Sequence, residues 1–366
     1  MEESPLAPSE LIGTCYATLA FEIGQNIDLE RCERLLPPAE RQRVRSRRRV
    51  PHYFEYHPAP LRLPQEPPAF GSAGLAIARV DVVLFDFGAA AVNYALPYRG
   101  GLEGLARVSA ALQETAALAA DARARLEQLV EMLGPAIDRP RVAELVEDYL
   151  IFQIDRLADG VRPSDLWQGA SRVRAAQILR GADEPLSQEE VDDALNLRLS
   201  FGPDDLTMVD WNASLVCDPE PEETRVLLEF ANVQLLELRH LDGELDKVID
   251  RAWESLARTE RGWWRTLRPP VSTLRHLGEL QMDSAVLFER VSSAVKLVGD
   301  RFLGRVYVAA SQRFHFADWD RAISRKLAVM EGIYQKLSDR VTARRLEVLE
   351  WIVILLIAVE VVFSLL

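Results

Sequence analysis

The chain has 366 residues, 48% of them hydrophobic, with 43 basic against 56 acidic side chains and a formal net charge of −13. That length and apolar content exclude a wholly disordered chain and allow two or three domains. The acidic balance argues against attachment to nucleic acid over the whole surface but leaves room for a local basic patch. Cys15, Cys32 and Cys217 are far apart and odd in number, which fits neither a disulfide framework nor a zinc site and points to a reducing compartment.

The opening MEESPLAPSE is acidic and punctuated by proline, unlike a secretory signal or a mitochondrial presequence; residues 1–10 are expected to be disordered. GTCYATLAFEI predicts a strand over 14–23, and DLERCERLL predicts a helix that Asp28 can cap. Pro37 and Pro38 end that segment. Six arginines follow, Arg41, Arg43, Arg45, Arg47, Arg48 and Arg49, and then HYFEYH and LRL read as short strands. LAIARVDVVLFDFGAAAVNYAL predicts strands over 75–80 and 82–87, a turn or bulge at Gly88, and a further strand over 89–94.

Residues 102–133 suit one or two amphipathic helices. Between Pro140 and Asp218, EDYLIFQI reads as a strand, SDLWQGASRVRAAQILR and LSQEEVDDALNL as helices, and DLTMVDWNASLVCD as one or two strands. Ser187 followed by Glu190 has the spacing of a capping box. The expected fold is α+β: a mixed body over 11–218, either one domain or two lobes divided near 135–140, a helical stalk over 221–345 and a membrane anchor over 346–366.

Long helical periodicity replaces the short mixed elements from Pro221 onward. Ala231, Leu235, Leu238, Leu241, Leu245, Val248 and Ala252 approximate one apolar stripe, and Leu287, Val291, Ala294, Val298, Phe302, Val306 and Ala309 a second. Ile323, Leu327, Met330, Tyr334, Leu337 and Val341 follow alternating four- and three-residue steps, the seam of a coiled coil. An antiparallel hairpin within the chain accounts for these seams economically, and a homo-oligomer would use them equally well.

The terminal run RRLEVLEWIVILLIAVEVVFSLL would extend about 31 Å over 346–366, close to the hydrocarbon thickness of a bilayer. It predicts one transmembrane helix, with Trp351 at the proximal interface and Arg340, Arg344 and Arg345 on the cytoplasmic side. Glu360 interrupts the run, and an ionised carboxylate there costs about 3 kcal/mol at mid-bilayer. The expected placement is a single-pass protein of a bacterial cytoplasmic membrane, with its body in the cytoplasm and membrane lipid as one partner.

Chemistry-bearing motifs are sparse. Asp86, Phe87 and Gly88 spell a kinase metal-binding tripeptide, but the catalytic loop, glycine-rich loop and lysine strand that would accompany it are missing from the sequence. His52, His57, His240, His276 and His315 lack zinc-ligand spacing. No cofactor is expected, and an enzyme is the less favoured reading. The six arginines could contact RNA, a ribosomal surface or lipid headgroups, with His52, Tyr53, Phe54 and Tyr56 beside them; solvation or pairing within the chain is the bland alternative. Trp263, Trp264 and Trp319 could bind a protein partner or cap the helical bundle.

Taken together, GTCYATLAFEI, VVLFDFGAAAVNYAL and the tail with Arg345, Leu349, Glu350 and Glu360 resemble the required-for-meiotic-nuclear-division family. The resemblance implies a membrane-associated protein with an α/β region and a C-terminal helical hairpin; a mitochondrial member of that family supports translation near the inner membrane. It transfers no catalytic residue. Where relatives carry a proline-aspartate-aromatic-tryptophan turn, this chain has Phe316, Ala317, Asp318 and Trp319. The functional expectation is a membrane-tethered scaffold or assembly factor supporting translation, with RNA or ribosome binding through the arginines, or an unrecognised active site, as alternatives.

Overall fold

The computed structural model describes residues 10–47, 58–114, 116–259 and 301–365. Strand β1 (Glu10–Glu22) sets the architecture, because its alternate side chains enter two different environments. Cys15, Ala17, Leu19 and Phe21 join an apolar core, whereas Tyr16, Thr18, Ala20 and Glu22 are buried on the opposite face.

The other strands are β2 (Asn26–Ile27), β3 (Leu61–Gln65), β4 (Gly71–Ser72), β5 (Leu75–Ala76), β6 (Arg79–Leu84), β7 (Ala89–Gly101), β8 (Ile137–Asp138), β9 (Val146–Leu157), β10 (Arg198–Leu199), β11 (Leu206–Val209) and β12 (Ala213–Cys217). One eight-stranded sheet runs β10-β11-β12-β9-β1-β7-β6-β3. Its neighbours are antiparallel except β9 and β12, which are parallel. Strands β2 and β8, and β4 and β5, form two small ribbons.

Helices α1 (Leu29–Leu35), α2 (Pro38–Arg47), α3 (Leu102–Leu112), α4 (Ala116–Leu133), α5 (Ser171–Arg180) and α6 (Gln188–Ala194) follow in chain order. Asp28 caps α1, its Oδ1 accepting from the Arg31 amide at 2.9 Å, and Ser187 caps α6 by accepting from the Glu190 amide at 3.2 Å. Gly181 closes α5 in the left-handed conformation, φ +61°. Leu105 and Leu112 of α3, Leu118 and Leu126 of α4, and Ala175 and Ile178 of α5 share one core with Leu19, Phe21, Val92, Leu150 and Phe152 of the sheet. Tyr94, fully buried there, donates its hydroxyl to Asp121 at 2.7 Å.

The opposite face lies under the first half of α7 (Pro221–Thr259) and under α8 (Arg301–Arg313). Phe85 meets Phe230 of α7, and Tyr149 of β9 meets Phe314, just beyond α8, edge to face at 5.2 Å. From Leu227 to Leu238, α7 is buried on every side. The final helix is α9 (Phe316–Leu365).

The described residues fall into two compact units, 10–240 with 301–317, and 241–259 with 318–365. In the second, Lys326 pairs with Asp242 and Asp246, both at 2.7 Å, and Leu241, Leu245, Val248, Ile323, Met330 and Ile333 are buried.

The mixed α/β body is present, but the transmembrane helix expected over 346–366 is not. Among the described residues no helix is long and apolar enough to cross a membrane. The physical reason is charge spacing: Glu350 and Glu360 bracket an uninterrupted apolar run over 351–359, about 14 Å of helix against the roughly 30 Å of hydrocarbon. The tail anchor and the single-pass placement in a bacterial cytoplasmic membrane therefore do not hold.

Candidate functional site

Charge is concentrated where the sequence gave least warning of it, between the sheet and α7. Tyr16 to Glu22 rises about 20 Å along β1 and Arg225 to Glu237 about 18 Å along α7, so helix and strand travel together. At one end the Arg225 guanidinium lies over the Tyr16 ring, 4.6 Å from its centroid; at the other the Glu237 and Glu22 carboxyls are hydrogen-bonded.

Between these ends runs an ionic ladder. Arg225 pairs with Glu229, which also accepts from Arg62 of β3 at 3.1 Å, and Asp81 of β6 pairs with Arg79 at 3.0 Å and Arg62 at 3.6 Å. The two arginines hold the buried Glu229 carboxyl below its ordinary range even though burial opposes them. Further along, Asn232 donates to the Glu147 carbonyl at 3.2 Å, and the Glu147 carboxylate pairs with Arg239. Burial nevertheless lifts Glu147 to about 7, with the Arg239 charge pulling the other way.

The Glu22 and Glu237 pair has no such cation. Glu22 is 8% exposed and Glu237 1%. Burial, the neighbouring charge and the hydrogen bond to Glu237 push Glu22 well above its ordinary range, and burial raises Glu237 to about 7. Thr18, Asn93 and Ser214 place further buried polar atoms on the same face of the sheet without a protein hydrogen-bond partner. Among the described residues no group of His, Cys, Asp and Glu is arranged to hold a metal ion. All three cysteines are buried, and burial pushes the Cys15 thiol up to about 12, so it is a poor nucleophile.

The residues singled out from sequence lie elsewhere. Arg41 caps the C-terminal end of α1, its Nε donating to the Leu36 carbonyl at 2.6 Å and its Nη2 to that of Arg34. It also borders a surface pocket of about 470 Å³ with Glu30, Glu33 and Arg34. Arg43, Arg45 and Arg47 belong to α2, with side chains outside the described residues, as are Arg48 and Arg49 entirely. Trp263 and Trp264 also lie outside the described residues. Trp319 is half-buried in the first turn of α9, and Trp351, expected at a membrane interface, is 64% exposed on that helix. Glu360 belongs to α9, its side chain outside the described residues. The structure does not gather these residues into one site.

Glu22, Glu147, Glu229 and Glu237 carried one readable signal. Thr18, Ala20 and Glu22 share a phase of β1 opposite to Leu19 and Phe21, and polar or small residues at every second position of a strand deep in the fold mark a second, non-oily interface.

Fold and geometry thus define a three-layer α/β/α protein whose central sheet buries an ionic layer under one helix. Residues 12–223 match the family model described as "Uncharacterized protein MJ0711, N-terminal domain", and the chain belongs to that family. The family is an uncharacterised one, and its description is not the meiotic-nuclear-division name suggested by the sequence motifs. The chain is 21% identical over 245 residues to the uncharacterized protein MJ0711 of Methanocaldococcus jannaschii, covering 65% of this chain and 72% of that protein. No solved structure matches.

Proposed function

We propose that the protein is a noncatalytic assembly factor that binds a protein partner through the C-terminal half of α9. One observation carries this reading: Leu349, Trp351, Ile352, Val353, Ile354, Leu356, Ile357 and Val359 are each at least 45% exposed. Consecutive exposed positions encircle a helix, and a helix apolar on every side is stable in water only when something covers it. The titratable groups with strongly shifted protonation supply no competing open cleft, because Glu22, Glu147 and Glu237 are buried beneath α7. If the chain is related to the meiotic-nuclear-division family, ribosomal proteins are the partners to try first.

The test is a photo-crosslinking residue at position 353 of the full chain, activated in native cells. A discrete set of protein adducts, lost when Ile354→Glu and Ile357→Glu are introduced together, is the expected result. Adducts to lipid alone, or none, would overturn the reading.

A second reading rests on α2. Its sequence PAERQRVRSR has Val44 as the only large apolar residue, so the helix has no stripe with which to dock on a core. Four arginines on ten residues suit a polyanion such as RNA. Replacing Arg43, Arg45, Arg47, Arg48 and Arg49 by glutamine, and leaving Arg41 to cap α1, should lower the salt-sensitive affinity for RNA. Unchanged affinity and salt slope would reject it.

A further inference from the structure

Two glutamates that meet inside a protein without a cation present a definite physical problem. Two ionised carboxylates in contact repel in a medium of low polarity, whereas a carboxylic acid facing a carboxylate makes a short, strong hydrogen bond. Glu22 ends β1, the central strand, and Glu237 lies one turn before the point where α7 passes out of the sheet-bearing unit.

We propose that the Glu22 and Glu237 pair is a proton-operated latch: a proton held between the two carboxyls fastens this turn of α7 to β1, and its loss to solvent releases that turn from the sheet. The geometry isolates the pair. Gly88, φ +115°, brings the β6–β7 turn so close that a Cβ there would stand 2.6 Å from Glu22 Oε1, which seals that side with backbone. From β9, Glu147 faces the same stretch of α7, but Arg239 engages it; Asp148 points to the other side of β9, and Arg123 of α4 lies over the Phe21 ring on the far face of the sheet. His240, half-buried, is the next residue along α7 after Arg239. Neither carboxyl of the pair has an arginine or lysine partner among the described residues.

The direction of the response follows from linkage. Both carboxyls take up protons more readily when packed than when the turn opens and each returns to its ordinary range near 4.5. The packed state therefore binds more protons, and its advantage falls as pH rises, by up to tenfold in the opening equilibrium per pH unit for each proton retained. The latch is fully closed below about pH 4.5 and weakens as pH rises through about 7 and beyond.

The experiment is hydrogen exchange on the full chain at pH 6 and pH 8.5, corrected for the intrinsic pH dependence of exchange and read on a peptide covering 233–245 against one covering 105–112. The expected result is a loss of protection of at least tenfold in the first peptide at the higher pH and no comparable change in the second. In Glu237→Gln, whose amide donates to Glu22 without a proton being shared, the pH-dependent loss should shrink to less than threefold. Glu22→Gln should behave likewise, which provides the same reading if one variant folds poorly. Equal protection at the two pH values, a dependence that survives both glutamine variants, or one that disappears instead in Glu147→Gln would each overturn the proposal.

Discussion

The Nε of Arg313 lies 2.8 Å from Oδ1 of Asp210, a carboxylate with no exposed surface. Arg180 approaches the other oxygen at 3.0 Å, and both arginines also pair with Asp193. The cluster joins α5, α6, the β11–β12 turn and α8. Burial still raises the Asp210 carboxyl to about 6 against the pull of the two arginines, so Asp210 tolerates its position only while those charges remain. Arg313→Ala should cost about 2–3 kcal/mol, somewhat less than for a fully buried pair because Arg313 and Arg180 reach solvent. Urea denaturation of the two proteins measures it; equal midpoints at equal slope would show that the pair contributes nothing.

Gly88 should resist substitution. An added Cβ would run into the Gly24 carbonyl as well as Glu22, and φ of +115° is a conformation that side-chain-bearing residues rarely adopt. Gly88→Ala is expected to lower stability by about 2–3 kcal/mol, read as a drop in the thermal midpoint. A shift within error of zero would mean that the turn relaxes freely.

Glu147 supplies a separate pH dependence. Its folded carboxyl titrates at about 7 rather than 4.5, chiefly because it is buried. The stability gained by keeping it protonated is full below about pH 4.5 and lost as pH rises through about 7, a change of about 3 kcal/mol. Glu147→Gln should therefore narrow the difference between urea midpoints measured at pH 5 and pH 8. An unaltered difference would place the titration on other groups.

Tyr94 tests the apolar side of the sheet. Tyr94→Phe removes the hydrogen bond to Asp121 but keeps the ring and should cost about 1 kcal/mol, whereas Tyr94→Ala leaves a cavity and should cost about 3–5 kcal/mol. Similar losses in the two variants, compared by chemical denaturation, would assign the effect to the hydroxyl and not to packing.

How much of this was legible depends on which physical rule governed each segment. The predicted strand over 14–23 lies largely within β1, whose observed bounds are Glu10–Glu22, and the predicted turn at Gly88 lies between β6 and β7, because alternation and glycine act locally. Asp28 and Ser187 cap their helices for the same reason. In the predicted stripe along α7, Ala231, Leu235, Leu238, Leu241, Leu245 and Val248 are buried, but the stripe concealed Glu229 and Glu237, which are buried too. A helix enclosed on every side follows no single-face pattern. Nor could sequence join Glu22 to Glu237, or Asp210 to Arg313, since those meetings depend on pairings between distant parts of the chain. The tail misled for a different reason: its apolar side chains were read as a span, although Glu350 and Glu360 divide it.

The central position of β1 has a consequence for biosynthesis. Both of its neighbours in the sheet, β7 and β9, come later in the chain, and α7, which covers its second face, comes later still. During translation the segment holding Tyr16, Leu19 and Phe21 emerges before anything that can shield it. Pairings this distant in sequence form slowly, so the nascent chain should call on chaperones early and release them only after the first half of α7 has cleared the exit tunnel.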